Sequence, residues 1–215
     1  LTRFELRKLG AQRRSLAAFA SIALMNALFA LGFWMRNHRA GHRAAPHADG
    51  RLVSEFINAY VYTQTILAPS MFMLFPIVLS ILGAHMLAGE MESGALRLVL
   101  VRPVPRWRVI LGKFGALSVW SLLLLAVLFG ASYGLSASMF APAGDVIIPG
   151  PMYLLPRSVA ILPQEIALQR MLLSYALAWP MLMSVSAMAL LFSLVSPHFT
   201  TAAVLTATVY FCCYI

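Results

Sequence analysis

The chain has 215 residues, of which 61% are hydrophobic and only 11% charged, with sixteen Lys plus Arg against seven acids and a formal net charge of +9. Soluble domains carry roughly 25% charged residues, so this composition excludes an ordinary soluble globule and points to an all-α polytopic membrane protein. The basic excess does not point to nucleic acid: the cations flank apolar runs, where they hold loops at the membrane surface and meet anionic lipid.

Residues 1–14 set Arg3, Lys8, Arg13 and Arg14 among Phe4, Leu6 and Leu9. That mixture predicts a short amphipathic elbow helix lying in the membrane interface. Residues 15–35 are almost purely apolar. About 20 residues at 1.5 Å each cross the hydrocarbon core, so this is the first span. It lacks a small-residue cleavage site and is expected to stay in the mature chain. Residues 36–51 form a polar loop with His38, His42 and His47. The His38–His42 spacing would bring two imidazoles onto one helix face, as a metal pair requires. Arginines stand between these histidines and Asp49 is the one carboxylate nearby, so no metal is assigned there. Residues 52–65 are mixed, with Glu55 and Asn58, and read as a re-entrant or lip helix.

Residues 66–88 are the second span, bent by Pro69 and Pro76. Residues 89–113 follow as a polar, arginine-rich loop, and residues 114–139 make the third span. There Gly130 and Gly134 form a GxxxG pair, one helical turn apart, that lets another helix approach. Residues 140–167 contain Pro142, Pro149, Pro151, Pro156 and Pro163 and cannot form one regular helix. They are apolar enough to lie on the outer face of the protein. Residues 168–195 are the fourth span, with Pro180 near the middle, and residues 199–215 the fifth. At 1.5 Å per residue that fifth run reaches about 25 Å against roughly 30 Å of hydrocarbon. Its last carbonyls would end in lipid, so the chain is expected to continue into a sixth span and a cytoplasmic C-terminus. The adjacent Cys212 and Cys213 lie in this run and build no disulfide framework. The twelve methionines read as flexible apolar filler.

Orientation follows the cations. With the N-terminus cytoplasmic, the inner segments hold ten Lys plus Arg and the outer segments five.

The stretch over 88–113 reads AGEMESGALRLVLVRPVPRWRVILGK. Glu90 and Glu92 close the second span, Leu96, Leu98 and Leu100 follow Gly94, and Pro103 ends the run before Arg106, Arg108 and Lys113. The spacing predicts a short amphipathic helix over 93–101, stopped by Pro103. Taken alone, this pattern fits a partner-docking helix and a plain connector anchored by arginines equally well.

The stretch resembles the signature of ABC-2 type transporter permeases. The matching residues are Glu90, Gly94, Leu96, Leu100, Pro103, Arg106, Gly112 and Lys113. Ala95 and Pro105 depart from the pattern, where Thr and Ser are usual. The resemblance implies a single helical transmembrane domain over 1–215 of the type V exporter kind, paired with a second permease copy as a homo- or heterodimer. It also implies two copies of a separate ABC ATPase, which would bind ATP and Mg, and a coupling role for Glu90, Glu92, Gly94, Leu96, Leu100, Pro103, Arg106 and Lys113. The chain itself would need no cofactor. Gly112-Lys113-Phe114 lacks the upstream glycine and the hydroxyl of a phosphate-binding loop. The expected function is export across a prokaryotic cytoplasmic membrane. Two alternatives stand beside it: a scaffold passing ATPase motion to a periplasmic partner, and an intramembrane enzyme using His85 and Glu90. An ionisable residue within a span is a functional candidate by default, so His85 is also a candidate for the transport path.

Overall fold

The structure is a computed structural model, and it describes residues 10, 13–40, 59–92, 94, 105–139, 146–149, 159–162, 164–196 and 198–214. The elements in chain order are α1 (Arg13–Ala40), α2 (Ala59–Pro69), a π-turn (Ser70–Leu74), α3 (Phe75–Glu92), α4 (Arg106–Met139), β1 (Val146–Pro149), β2 (Val159–Leu162), α5 (Gln164–Val195) and α6 (Phe199–Tyr214). The all-helical membrane fold expected from composition is what forms. Four stretches among the described residues are long and apolar enough to cross a membrane: Ser15–Met35, Ala59–Glu92, Trp107–Met139 and Gln164–Val195. Helix α6 is apolar but, at sixteen residues, shorter than a full crossing. The proline-rich segment after α4 adds what the sequence did not predict, a two-stranded antiparallel ribbon that pairs Val146 with Leu162 and Pro149 with Val159.

The helices extend beyond the apolar runs. The segment over 52–65 is no separate lip helix from Ala59 onward, because α2 runs through the π-turn into α3. Its polar residues do not mark a loop. Thr63 and Thr65 turn their hydroxyls back onto the carbonyls of Ala59 and Val61, at 2.8 and 2.6 Å, inside the helix. The expected elbow over 1–14 lies outside the described residues, apart from Gly10 and the first two residues of α1.

The chain divides into two compact units. The first comprises Leu1–Ile22, Ser70–Ala126 and Leu177–Ile215, and α3 is its hub. Gly83 is the notch that seats α5: a Cβ there would lie 2.6 Å from the Ala189 Cβ. Ala84 and Ala88 bury against Ala202 of α6, with Phe199 and Ala203 beside them. Small residues bring helix backbones close, which is how helices gain packing energy in lipid. The π-turn adds a specific polar need. Where the ladder shifts to i→i+5 bonding, the Met71 carbonyl would face Pro76, which has no N–H to give. Tyr210 of α6 donates its hydroxyl to that carbonyl at 3.2 Å, and Phe72 and Phe211 meet edge to face beside it. Trp179 of α5 likewise donates to the Ser118 carbonyl of α4 at 3.2 Å.

The second unit comprises Ala23–Pro69 and Val127–Ala176. Its core is Ala30, Tyr62 and Ile66, with Met25, Phe29, Phe33 and Leu135 packed around them. Tyrosines stitch its helices to one another through backbone carbonyls: Tyr62 donates to Asn26 at 2.8 Å and Tyr175 to Thr63 at 3.0 Å. In this unit no close neighbour seats on the GxxxG pair among the described residues. Gly130 and Gly134 are exposed, and a Cβ at either would meet nothing within 4 Å. A close approach of backbones does occur at Gly83.

A direct comparison follows. Gly83→Ala drives a Cβ into a neighbouring Cβ fixed to backbone, which neither helix relieves without moving. Overpacking of this kind costs about 1–3 kcal/mol, so thermal unfolding in detergent is expected to shift downward. Gly130→Ala, with open space around it, should leave the midpoint unchanged or slightly raised.

Candidate functional site

The site is the C-terminal end of α3, the N-terminal end of α4 and the α5–α6 turn, all in the first unit. Glu90 and Glu92 are the last charged residues of α3, so the helix carries them past the point where the apolar run fades. Gly94 closes the helix. Its φ is +74°, a left-handed conformation that costs other residues a Cβ clash, and its N–H reaches the Met91 carbonyl at 3.1 Å. The chain re-enters at Pro105, whose carbonyl accepts the Arg108 N–H at 3.0 Å as the first turn of α4 forms. Proline suits a helix start because its fixed φ is already helical and its missing N–H would have had no partner. Arg106, Arg108 and Lys113 therefore sit in the opening turns of a spanning helix, not in a connector. The Arg108 guanidinium lies 5.4 Å from the Trp107 ring centre, and both side chains are exposed.

Lys113 is the centre of the arrangement. It is only 2% exposed, and its ammonium donates to Glu90 Oε2 at 2.7 Å and to the Met86 carbonyl at 2.7 Å. Met86 and Glu90 are four residues apart, hence on one face of α3, one turn above the other. The lysine of α4 thus meets two acceptors in line along α3. Glu90 is itself 8% exposed. Two charges this deep must pair, because removing either leaves the other without solvent. A second contact flanks the pair. Ser193 of α5 accepts the Ala88 N–H at 2.7 Å and donates to the Ala84 carbonyl at 3.0 Å, lying across one rung of the α3 ladder.

The remaining polar groups are peripheral. Glu92 is exposed and faces His198 at 3.7 Å, a surface contact of small energetic weight. The His85 ring lies edge-on to Phe199 with centroids 5.9 Å apart. Gly89 makes room for it, since a Cβ there would come within 2.8 Å of the ring. His85 and Glu90 are five residues apart on one helix, about 140° apart around its axis.

Of the candidate residues, the structure joins Glu90 to Lys113, places Gly94 at the helix cap and sets Arg106 at the first position of α4. Leu96, Leu100 and Pro103 lie outside the described residues, as do His42, His47 and the side chain of His38. Sequence reasoning missed Gly83 and Ser193. The available signal was the run of small residues at Gly83, Ala84 and Ala88 on one helix and Ala189 and Ser193 on another, the pattern by which helices approach in membranes.

A family model described as ABC-2 family transporter protein matches residues 4–215. The chain belongs to the ABC-2 transporter family. No curated protein matches it. The match agrees with the resemblance carried by Glu90, Gly94, Gly112 and Lys113, and it identifies the chain as a multi-pass membrane protein and a permease of an ABC transporter. In this permease the two charged residues of the signature that lie among the described residues and are buried, Glu90 and Lys113, are partners of one another.

Three substitutions test the geometry through stability. Lys113→Ala strands a buried carboxylate and is expected to cost about 3–5 kcal/mol. Glu92→Ala, at the exposed contact, should stay within about 0.5 kcal/mol. Gly94→Ala forces a side chain into left-handed backbone and should cost about 1–2 kcal/mol. Thermal unfolding of the purified permease ranks the three.

Proposed function

We propose that the chain is the permease subunit of an exporter driven by a separate ABC ATPase. Residues 93–104 would form the surface that the ATPase engages. Carrying this reading is the position of the signature: it lies between two helices of a transporter-family chain, at ends joined by a buried ion pair. The leucines at 96, 98 and 100, spaced between Gly94 and Pro103, supply an apolar patch in a polar setting. Such a patch is what a groove on a soluble partner recognises.

In this reading the N-terminus and residues 93–104 are cytoplasmic, as the excess of cations on that side favours. Two permease copies and two ATPases assemble, ATP and Mg belong to the ATPase, and ATP-driven closure of the ATPases displaces residues 93–104. Helices α3 and α4 carry the displacement into the membrane, where the spans exchange inward-facing and outward-facing arrangements. The membrane is the cytoplasmic membrane of a prokaryote.

Replacing Leu96 and Leu100 together with Asp places two charges in the apolar contact. Losing one buried leucine costs on the order of 2–5 kcal/mol, enough to release the ATPase from the purified complex. Co-purification at wild-type stoichiometry together with unchanged ATPase stimulation would overturn the docking assignment. Topology is checked separately: a cysteine at Ser93 should react with impermeant reagents only from inside, and one at Gly144 only from outside. The reverse pattern overturns the orientation.

A further inference from the structure

We infer that Glu90 and Lys113 are positioning residues, not ATPase-contact residues. Their buried ion pair clamps α3 to α4 at the base of residues 93–104, so that the two ends of that segment move as one body. The inference rests on the proposed ATPase-driven function and assigns these two residues a specific part in it.

Accessibility comes first. A residue that docks a partner has to offer it surface. Lys113 is 2% exposed and Glu90 8%, and their charged atoms are 2.7 Å apart. By contrast Glu92 and Trp107, close by on the same two helices, are exposed. Geometry is the second part. Glu90 lies about one turn before Gly94 and Lys113 about two turns after Pro105. The clamp therefore crosses between the two helices just beneath the segment that joins them. Register is the third. Lys113 is held by two acceptors one turn apart on a single face of α3, Met86 and Glu90. Sliding α4 along α3 by a turn would move the ammonium off both. A well-packed apolar pair would hold the helices together about as strongly, but it would tolerate sliding; fixing register is the best-attested use of a buried ion pair.

What the clamp does for transport follows from lever mechanics. A push on residues 93–104 moves two helix ends. If those ends were independent, the push would be spent in spreading them. Joined at Glu90–Lys113, they pass it on as a common displacement of α3 and α4. Ser193 extends the same connection to α5, because its hydroxyl sits across the Ala84–Ala88 rung one turn before Glu90.

The test uses the full-length permease purified with its ATPase. Two variants remove the ion pair: Glu90→Gln, which is isosteric and keeps a hydrogen-bond acceptor but leaves the Lys113 ammonium without its counter-charge, and the double variant Glu90→Met/Lys113→Met, which removes both charges together. Each is first checked for a single monodisperse peak. Three quantities are read: the amount of ATPase that co-purifies, its stimulation by the permease, and the distance between spin labels. The labels are attached to cysteines at Met91 and Trp107, with Cys212 and Cys213 replaced by alanine. Expected results are wild-type co-purification, a fall in stimulation of about fivefold to tenfold, and a label distance that broadens from one narrow distribution. Stimulation retained within about twofold, or an unchanged distance distribution in both variants, overturns the clamp. Loss of the ATPase in proportion to loss of stimulation also overturns it, since that is the behaviour of contact residues. If the wild-type permease brings down no ATPase, the exporter reading falls and the clamp's coupling role falls with it. Failure in the variants alone leaves that reading standing.

Discussion

One buried ion pair constrains the region that matters most in this permease. Lys113 and Glu90 are buried where Glu92, Arg108, Glu165 and Arg170 are exposed, and each makes sense only beside the other. A lone ammonium in that position would be neutralised or would pull the helix toward water. Because both charges are present, the end of α3 and the beginning of α4 must lie side by side in one register, and the segment between them must leave and return at one place. The glycine at Gly94 and the proline at Pro105 mark where α3 closes and where α4 opens.

Around this pair the structure solves the general problem of a helix bundle in lipid, where no water is available to satisfy backbone and polar groups. Part of the solution is self-contained. Ser80, Ser118, Ser186 and Thr206 each donate to a carbonyl four residues earlier in their own helix. Another part links helices. Tyr210 serves the carbonyl left open where a π-turn meets Pro76, and Tyr62, Tyr175 and Trp179 each cap a backbone carbonyl of another helix. In water such bonds compete with solvent; in hydrocarbon the alternative is an unsatisfied group, so aromatic residues with a polar tip fix how neighbouring helices are rotated.

Close backbone contact supplies the rest. Helix α3 reaches α5 through Gly83 and Ala189, and α6 through Ala84, Ala88 and Ala202. Its C-terminal end is therefore held on three sides: by Lys113, by Ser193 and by the alanine contact with α6. A helix gripped this way resists bending locally and transmits displacement along its length, which is what the proposed relay of motion into the membrane calls for. At Gly130 and Gly134 of α4, by contrast, an added Cβ would meet nothing within 4 Å among the described residues.

The sequence by itself determined a good deal. Hydropathy and length require a helical membrane protein, because only a span of that apolarity is stable in lipid and only a helix satisfies its own backbone there. The signature over 88–113 marked Glu90, Gly94 and Lys113 as important and placed the chain among ABC-2 permeases before any fold was known. What the sequence left undecided is where helices end and which residues meet. Charge made Glu90, Arg106 and Lys113 look like loop residues, yet they are helical; in Lys113 and Glu90 the charge is cancelled by a partner twenty-three positions away, a pairing no local window contains. Residues 52–65 read as a separate re-entrant or lip helix, but from Ala59 onward they belong to the same long apolar stretch as the second span. Gly83, in no motif, makes the close contact between α3 and α5. In each case the deciding quantity is a distance between elements, and only the tertiary structure sets that.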